Sequence, residues 1–400
     1  MNFTSQIVAI SSAAGFSLQM ALALLIVHYF TPVDVGTLIV ISQIGFLLAS
    51  LSLAQAPLRI LANQSSSIFL DTRQALIASI KHFVMLIPIA VVVVLVSDLP
   101  FVRSLIWVLA LAFTLMTWLL AQSISLRLGG LFAKIGVRVI PQFVSLFFVF
   151  LSILLKLDGT SLLFAALLGY AVGAAWIVPV FKGVRGRQID NVPSQLDTNS
   201  IASKSSNSSD NRSTFLRMAH ALTDTVLATT TLVVWQRLYG AQETGWMAAP
   251  LRVIGFVPAL VHMAWAQVLL AKPIYQGEKS LLVGLGGLIC VVLMSAGIAV
   301  ILNLGLLSEQ WMGVLPYLLS LTLWQGSACL VAAHSHLPFQ AHKGKNYSIL
   351  SIRVATTQIL VLISPILLKI EISPNLHFTY FAVLSSLGYF FIFLKIKNMS

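Results

Sequence analysis

Charged residues are scarce in this sequence: 24 Lys and Arg and 12 Asp and Glu make up 9% of 400 positions, against about 25% in an ordinary soluble domain. That excludes a water-facing surface of normal composition. Cysteine is scarcer still. The two present, Cys290 and Cys329, fall inside apolar runs, with neither the spacing of a metal site nor the number for a disulfide framework, so packing is their expected role. Also missing are a close carboxylate pair, a His-Glu-x-x-His motif, a nucleophile elbow and a phosphate-cradling glycine loop. The expectation is a chain that is not an enzyme and calls for no metal or cofactor. The opening "MNFTSQIVAI" has no positive n-region, and the first apolar segment runs to Phe30 without a small-residue cleavage site. It reads as a retained span.

Apolar residues fill the space that charge leaves, at 58% of the chain with a mean hydropathy of +0.94. No soluble fold hides so much apolar surface, so the solvent is lipid. Spans are expected near 5–30, 37–56, 75–97, 102–125, 138–156, 160–181, 214–238, 246–270, 281–306, 312–333, 347–369 and 375–395. They are continuous rather than alternating, which requires helices and not barrel strands. The fold class is therefore an all-α polytopic membrane protein of about twelve transmembrane helices. "TPVDVG" at 31–36, "SDLP" at 97–100, "LDGT" at 157–160 and "YGAQETG" at 239–245 read as turns.

A net charge of +12 could point to nucleic acid, but the bases are scattered between apolar spans and form no aromatic-interleaved patch. Membrane topology accounts for them better, because cytoplasmic loops collect Lys and Arg. Sixteen bases fall on one side, and four, Arg103, Lys156, Arg237 and Lys369, on the other. Both termini are then cytoplasmic. The hydrophilic stretch 182–213, rich in Ser, Asn and Asp, reads as a mobile cytoplasmic linker. On that side the Asn-x-Ser matches at Asn207 and Asn211 carry no glycan. The linker divides the chain into an N-terminal six-helix half, 1–181, and a C-terminal one, 214–400.

The halves echo each other. "YFTPVDVGTLIVISQIGF" at 29–46 and "YGAQETGWMAAPLRVIGF" at 239–256 share Tyr, an acid two residues before Gly, and Ile-Gly-Phe. Equal span parity makes them parallel repeats. Within the spans lie few ionisable side chains: Lys81, Arg217, Arg252 and Arg353 as bases, and Asp224 as the acid. In "FLRMAHALTDTV", residues 215–226, Arg217, His220 and Asp224 fall within roughly 60° of one another on a helix. Such groups are costly in hydrocarbon unless they meet a partner or water.

The repeated acid-glycine turns, the stretch "PLRVIGFVPALVHMAWAQVLLAKP" at 250–273 and the twelve-span layout resemble the polysaccharide-unit flippases of the multidrug/oligosaccharidyl-lipid/polysaccharide exporter superfamily. The resemblance implies two six-helix bundles around a central cavity that opens alternately to either side. It further implies an undecaprenyl-diphosphate-linked oligosaccharide carried from inner to outer leaflet of a bacterial inner membrane for O-antigen-type polysaccharide, with a polysaccharide polymerase and a chain-length regulator as partners. Arg252 matches a base often seen in the eighth helix of such proteins, and Asp224 an acid common in the seventh. Ser42 and Gln43 stand where the first half would carry its counterpart of Arg252, so a cationic site is lopsided toward the second half.

On this reading Arg252, Arg217, Lys81 and Arg353 are candidate contacts to an anionic headgroup, since guanidinium suits a diphosphate. Snorkelling to the interface is the alternative for Arg217, Lys81 and Arg353. Asp224, with His220 one turn before it, is a salt-bridge partner, an ion-coupling group or an anchor for sugar hydroxyls. Asp224 is expected about 15 Å into its helix and Arg252 about 10 Å from the outer end of the next. His262, with no polar neighbour in sequence, is expected to be packed or hydrogen-bonded. Trp235, Trp246, Trp265, Trp311 and Trp324 are candidates for sugar stacking, with an interfacial belt as the simpler account. Two other functions stay open. A polymerase or ligase for lipid-linked glycan is disfavoured by short outer loops, and a drug or organic-cation antiporter by the excess of bases over acids.

Overall fold

The computed structural model describes residues 3–54, 56–57, 60, 68–128, 130–178, 208–266, 269, 277–341 and 343–397. Most of the expected linker, 182–207, lies outside them, while residues 208–213 form the first turns of a helix. Among the described residues there is no strand. The helices are α1 Phe3–Tyr29, α2 Pro32–Leu53, α3 Ile68–Val96, α4 Phe101–Leu128, α5 Leu131–Leu154, α6 Thr160–Ala175, α7 Ser208–Ile254 and α8 Phe256–Val261, then a π turn, His262–Ala266. They continue as α9 Gly277–Asn303, a 3-10 turn Glu309–Val314, α10 Leu315–His334, α11 Leu337–Gln340, α12 Gly344–Leu368 and α13 Pro374–Lys397.

Nine helices among the described residues are long and apolar enough to cross a bilayer, and Ser17–Tyr29 and Thr160–Ala175 are shorter apolar ones. One of the nine, Leu222–Val261, is 40 residues long and is broken at Gly240, so the described helices fit the twelve expected spans. Side chains such as Leu319, Met85 and Phe132 are 75–81% exposed. A continuous coat of that kind belongs against lipid.

Two expected turns are tighter than their composition suggests. "TPVDVG" is the first turn of α2, because Thr31 and Asp34 close a capping box. The Asp34 N–H donates to Thr31 Oγ1 at 3.2 Å, and the Thr31 N–H donates to the Asp34 carboxylate at 3.3 Å. Pro32 at the first helical position needs no donor. "YGAQETG" is a one-residue kink. Gly240, at φ 82° and ψ −179°, a conformation essentially reserved for glycine, breaks α7 there into two helical arms.

The described chain forms two compact units. Unit 1 comprises Met1–Leu25, Ile41–Leu95 and Leu99–Met218. In it α6 packs on α4 and α5 through the "GYAVG" glycines: a Cβ on Gly169 would overlap the Ser145 hydroxyl, and one on Gly173 the Trp118 ring. Trp118 donates its indole N–H to the Val137 carbonyl at 2.7 Å, so its ring cannot yield freely. Arg127 donates to the Ile60 carbonyl at 2.8 Å.

Unit 2 comprises Ile26–Val40, Val96–Asp98 and Ala219–Ser400. Here α10 is the central element, packed on α8, α9 and α13. The fully buried rings of Trp235, Tyr317, Phe378 and Phe381 fill the space around it. The repeated glycines of the two turns meet in this unit. A Cβ on Gly36 would overlap the Ala241 carbonyl and lie 2.9 Å from the Gly245 nitrogen, while one on Gly245 would overlap the Pro32 carbonyl. The contact is therefore main chain on main chain.

Replacing Gly173 by Ala should cost about 1–3 kcal/mol by overpacking, while Gly286→Ala, where a Cβ meets open space, should stay within about 0.5 kcal/mol; thermal unfolding in detergent compares them. Gly245→Ala should part the two turns, and a Thr244→Cys probe, buried at 0% exposure in this arrangement, should then react several-fold faster with a maleimide.

Candidate functional site

Asp224 stands midway along the first arm of α7, between Ser208 and Gly240. It is exposed, and its charge acts on Tyr347 of α12, Tyr389 of α13 and His262 of the π turn. Ser351 lies beside the Tyr347 hydroxyl, and Gln358 and Trp324 lie beside that of Tyr389. Gln358 Nε2 and Trp324 Nε1 are buried with no acceptor among the described residues. Four helices thus bring one carboxylate, two phenols, a carboxamide and an indole to one region of unit 2. A carboxylate among neutral hydroxyls suits a proton, a small cation or a sugar hydroxyl.

The backbone from Ser208 onward is helical, so Arg217, His220 and Asp224 share a face. The side chains of Arg217 and His220 lie outside the described residues. Arg252 sits on the second arm of α7, about 18 Å along from Gly240 at 1.5 Å per residue. That is deeper than expected, because the arm begins at Ala241 rather than after a loop. The Arg252 guanidinium is exposed and makes no hydrogen bond or ion pair with another described residue. The same holds for Lys81 of α3 and for the guanidinium of Arg353 of α12. Lys81 belongs to unit 1, Arg252 and Arg353 to unit 2.

A second polar cluster surrounds the Gly240 kink. The Tyr317 hydroxyl donates to the Glu243 carboxylate, the Tyr239 hydroxyl and His377 Nδ1 are 2.9 Å apart, and His377 stacks on Trp235 at 5.0 Å and 23°. Arg237 and Asp98 form an exposed ion pair at 2.9 Å. Glu243 is the acid of the repeated turn, but nothing in the spacing marked Tyr317 or His377 as its companions. The tryptophans are structural here. Trp235, Trp311 and Trp324 are buried, Trp246 donates to the Gln310 carbonyl at 2.7 Å and Trp265 to Ser280 Oγ at 2.9 Å.

No family model and no curated protein matches the sequence. Among solved structures, the lipid II flippase MurJ in an inward closed conformation is similar at a TM-score of 0.60 and 12% identity, over 98% of this chain and 87% of that one. The chain has the lipid II flippase fold. An inward-facing multidrug resistance transporter of the MATE family also aligns, over 100% of this chain and 96% of that one, at a TM-score of 0.48 and 12% identity. The likeness to the lipid II flippase is one of fold. At 12% identity it assigns no residue a role.

Tyr317→Phe should cost about 1.5–3 kcal/mol, the value of a hydrogen bond to a charged group. Asp98→Asn, which breaks an exposed pair, should cost under about 1 kcal/mol. Thermal unfolding in one detergent ranks them.

Proposed function

We propose that this protein is a flippase that carries an undecaprenyl-diphosphate-linked oligosaccharide from the inner to the outer leaflet of a bacterial inner membrane by alternating access, for surface polysaccharide of the O-antigen type. The observation that carries the reading is the Arg252 guanidinium, deep in a span and without a bonded partner among the described residues. A cation left uncompensated in hydrocarbon is costly, and an anionic headgroup would compensate it. The fold shared with a lipid II flippase over 98% of the chain supports a lipid-linked glycan as cargo. Lys81, Arg217 and Arg353 would offer further cationic contacts, and Asp224, with His220 on its face, would couple the cycle to an ion. For the outer end to open, the Gly36 and Gly245 main-chain contact would part. Both termini would be cytoplasmic, the chain would split at 182–213 into two six-helix bundles around the cargo, and a polymerase and chain-length regulator would act on what it delivers.

A drug or organic-cation antiporter of the same fold is the competing reading, and Asp224 is the feature that favours it. The two differ in the sign of the cargo. In proteoliposomes, flipping of a labelled lipid-diphosphate glycan should fall at least about tenfold in Arg252→Ala, the loss of one charge-assisted contact, and Arg252→Lys should recover part of it. Movement of an organic cation by the wild type, with no movement of any lipid-linked glycan, would transfer the function to the antiporter reading.

A further inference from the structure

His262 of the π turn finds a partner across unit 2, its Nδ1 lying 3.0 Å from Ser335 Oγ. The guanidinium of Arg353 finds none among the described residues, although it is exposed on α12 about 14 Å from that helix's start at Gly344. Charge of the opposite sign is scarce around it. After Glu309 the sequence carries one acid, Glu371, against six bases, Lys343, Lys345, Arg353, Lys369, Lys395 and Lys397. Glu371 and Lys369 lie where α12 ends and α13 begins, and the other five bases fall toward the opposite end of that helix pair. Asp224 acts on Tyr347 and Tyr389, on the other side of the pair.

The two helices run in opposite directions. Tyr347 packs with Ile392 and Ile396, a Cβ on Gly388 would overlap Val354, and His377 Nε2 lies 3.4 Å from the Val361 carbonyl. At 100° per residue Arg353 stands about 140° round from the buried Gln358, and Lys395 about 140° round from the buried Ala382. Taken from the contact of Val354 with Gly388, the helical sense carries both bases to the same, exposed side of the pair. Along the axis Lys395 is about 9 Å beyond the level of Arg353, and the side chains close that gap. A helical Cα–Cβ bond tilts toward the helix N-terminus, so in an antiparallel pair Arg353 reaches toward the start of α12 while Lys395 reaches back along α13. For Lys395 this is seen directly, since its ammonium lies 5.6 Å from the centre of the Phe391 ring one turn back.

Snorkelling is the ordinary account of a base near a helix end, and it takes each charge out to water by itself. Here one base is turned back toward hydrocarbon and the other toward it. Asn346, exposed at the level of Lys395, adds a neutral donor. Deeper on the same side the surface is apolar, with Leu360, Leu384 and Phe391 at 45–52% exposure. Thr357, the polar residue there, donates its hydroxyl to the Arg353 carbonyl at 3.1 Å. Two converging cations above an apolar groove have the layout of a lipid, headgroup first and chains below.

From this arrangement we infer that the groove between α12 and α13 binds an anionic phospholipid of the surrounding bilayer. Arg353 and Lys395 hold its phosphate from either side, Asn346 meets the headgroup, and the acyl chains lie over Leu360 and Leu384. On the proposed topology this is the cytoplasmic leaflet. A zwitterionic lipid brings its own cation to the two bases, and a free phosphate brings no chains to the groove. The site does not depend on what the protein carries, and Arg353 keeps this partner whether or not it also meets cargo.

Full-length protein, stripped of lipid in detergent, would be titrated with phosphatidylglycerol and the bound lipid counted by native mass spectrometry. The first phosphatidylglycerol should bind at least about tenfold more tightly than phosphatidylcholine, and Arg353→Gln or Lys395→Gln should each weaken it about tenfold, as for the loss of one charge-assisted bond. The double variant should lose clearly less than about a hundredfold, because the two groups hold one phosphate. Arg353→Lys, which keeps the charge, should retain most of the binding and separates loss of contact from loss of fold. Lys345→Gln removes the same charge from the same end of α12 but from another face, and should change binding less than about twofold. Equal losses in Lys345→Gln and Arg353→Gln would describe a diffuse basic rim and overturn the site. So would full multiplication of the two single losses. Displacement of the phospholipid by an excess of inorganic phosphate, or by an equimolar lipid-diphosphate glycan, overturns it as well, in favour of a free anion or of the cargo.

Discussion

In hydrocarbon an amide or hydroxyl without a partner costs several kcal/mol, and this constraint governs the rest of the molecule. It makes every described element a helix, and it also disposes of the hydroxyls. Ser52, Thr231 and Ser386 each donate to the carbonyl four residues back, at 2.6, 2.8 and 2.7 Å, so their own helix hides them. Thr244 uses the same bond at 2.7 Å on the carbonyl of Gly240, where the kink would otherwise leave an acceptor bare. Side chains too polar to be satisfied by their own turn, such as Glu243 and His262, are the ones that reach across to other helices.

Lipid tails are as apolar as leucine, so helices do not associate merely to bury surface. The two units answer this differently. Unit 1 brings backbones together over Gly169 and Gly173 and locks the contact with the Trp118 indole. Unit 2 packs large rings, with Trp235, Tyr317 and Phe378 mutually edge-on between 5.4 and 6.3 Å, around a central α10. Edge-to-face pairs add directional attraction to dispersion, which suits a unit that also holds several ionisable groups in register.

The span count and helical class were legible because apolar run length is a one-dimensional signal. The turns were less so. Composition marked 31–36 and 239–245 as turns, but a Thr31/Asp34 box that starts α2 and a single glycine break in α7 confine each to one or two residues between helices. The tryptophans were read by type as an interfacial belt, but burial depends on neighbours that sequence does not place. For the site, Asp224 and Arg252 were visible as ionisable groups in apolar runs. Tyr347, Tyr389 and Ser335 were not, since hydroxyls more than seventy residues from their partners leave no spacing to read. His262 lacked a polar companion along the chain and has one across it.

The contact between the two acid-glycine turns is built from carbonyls, amides and glycine Cα atoms. Such a surface presents no charge pattern and no side-chain shape, so its fit depends on backbone geometry and on the two glycines. The residues around it can therefore change in composition while the contact stays as it is, and any recognition by side-chain chemistry must come from elsewhere along the helices.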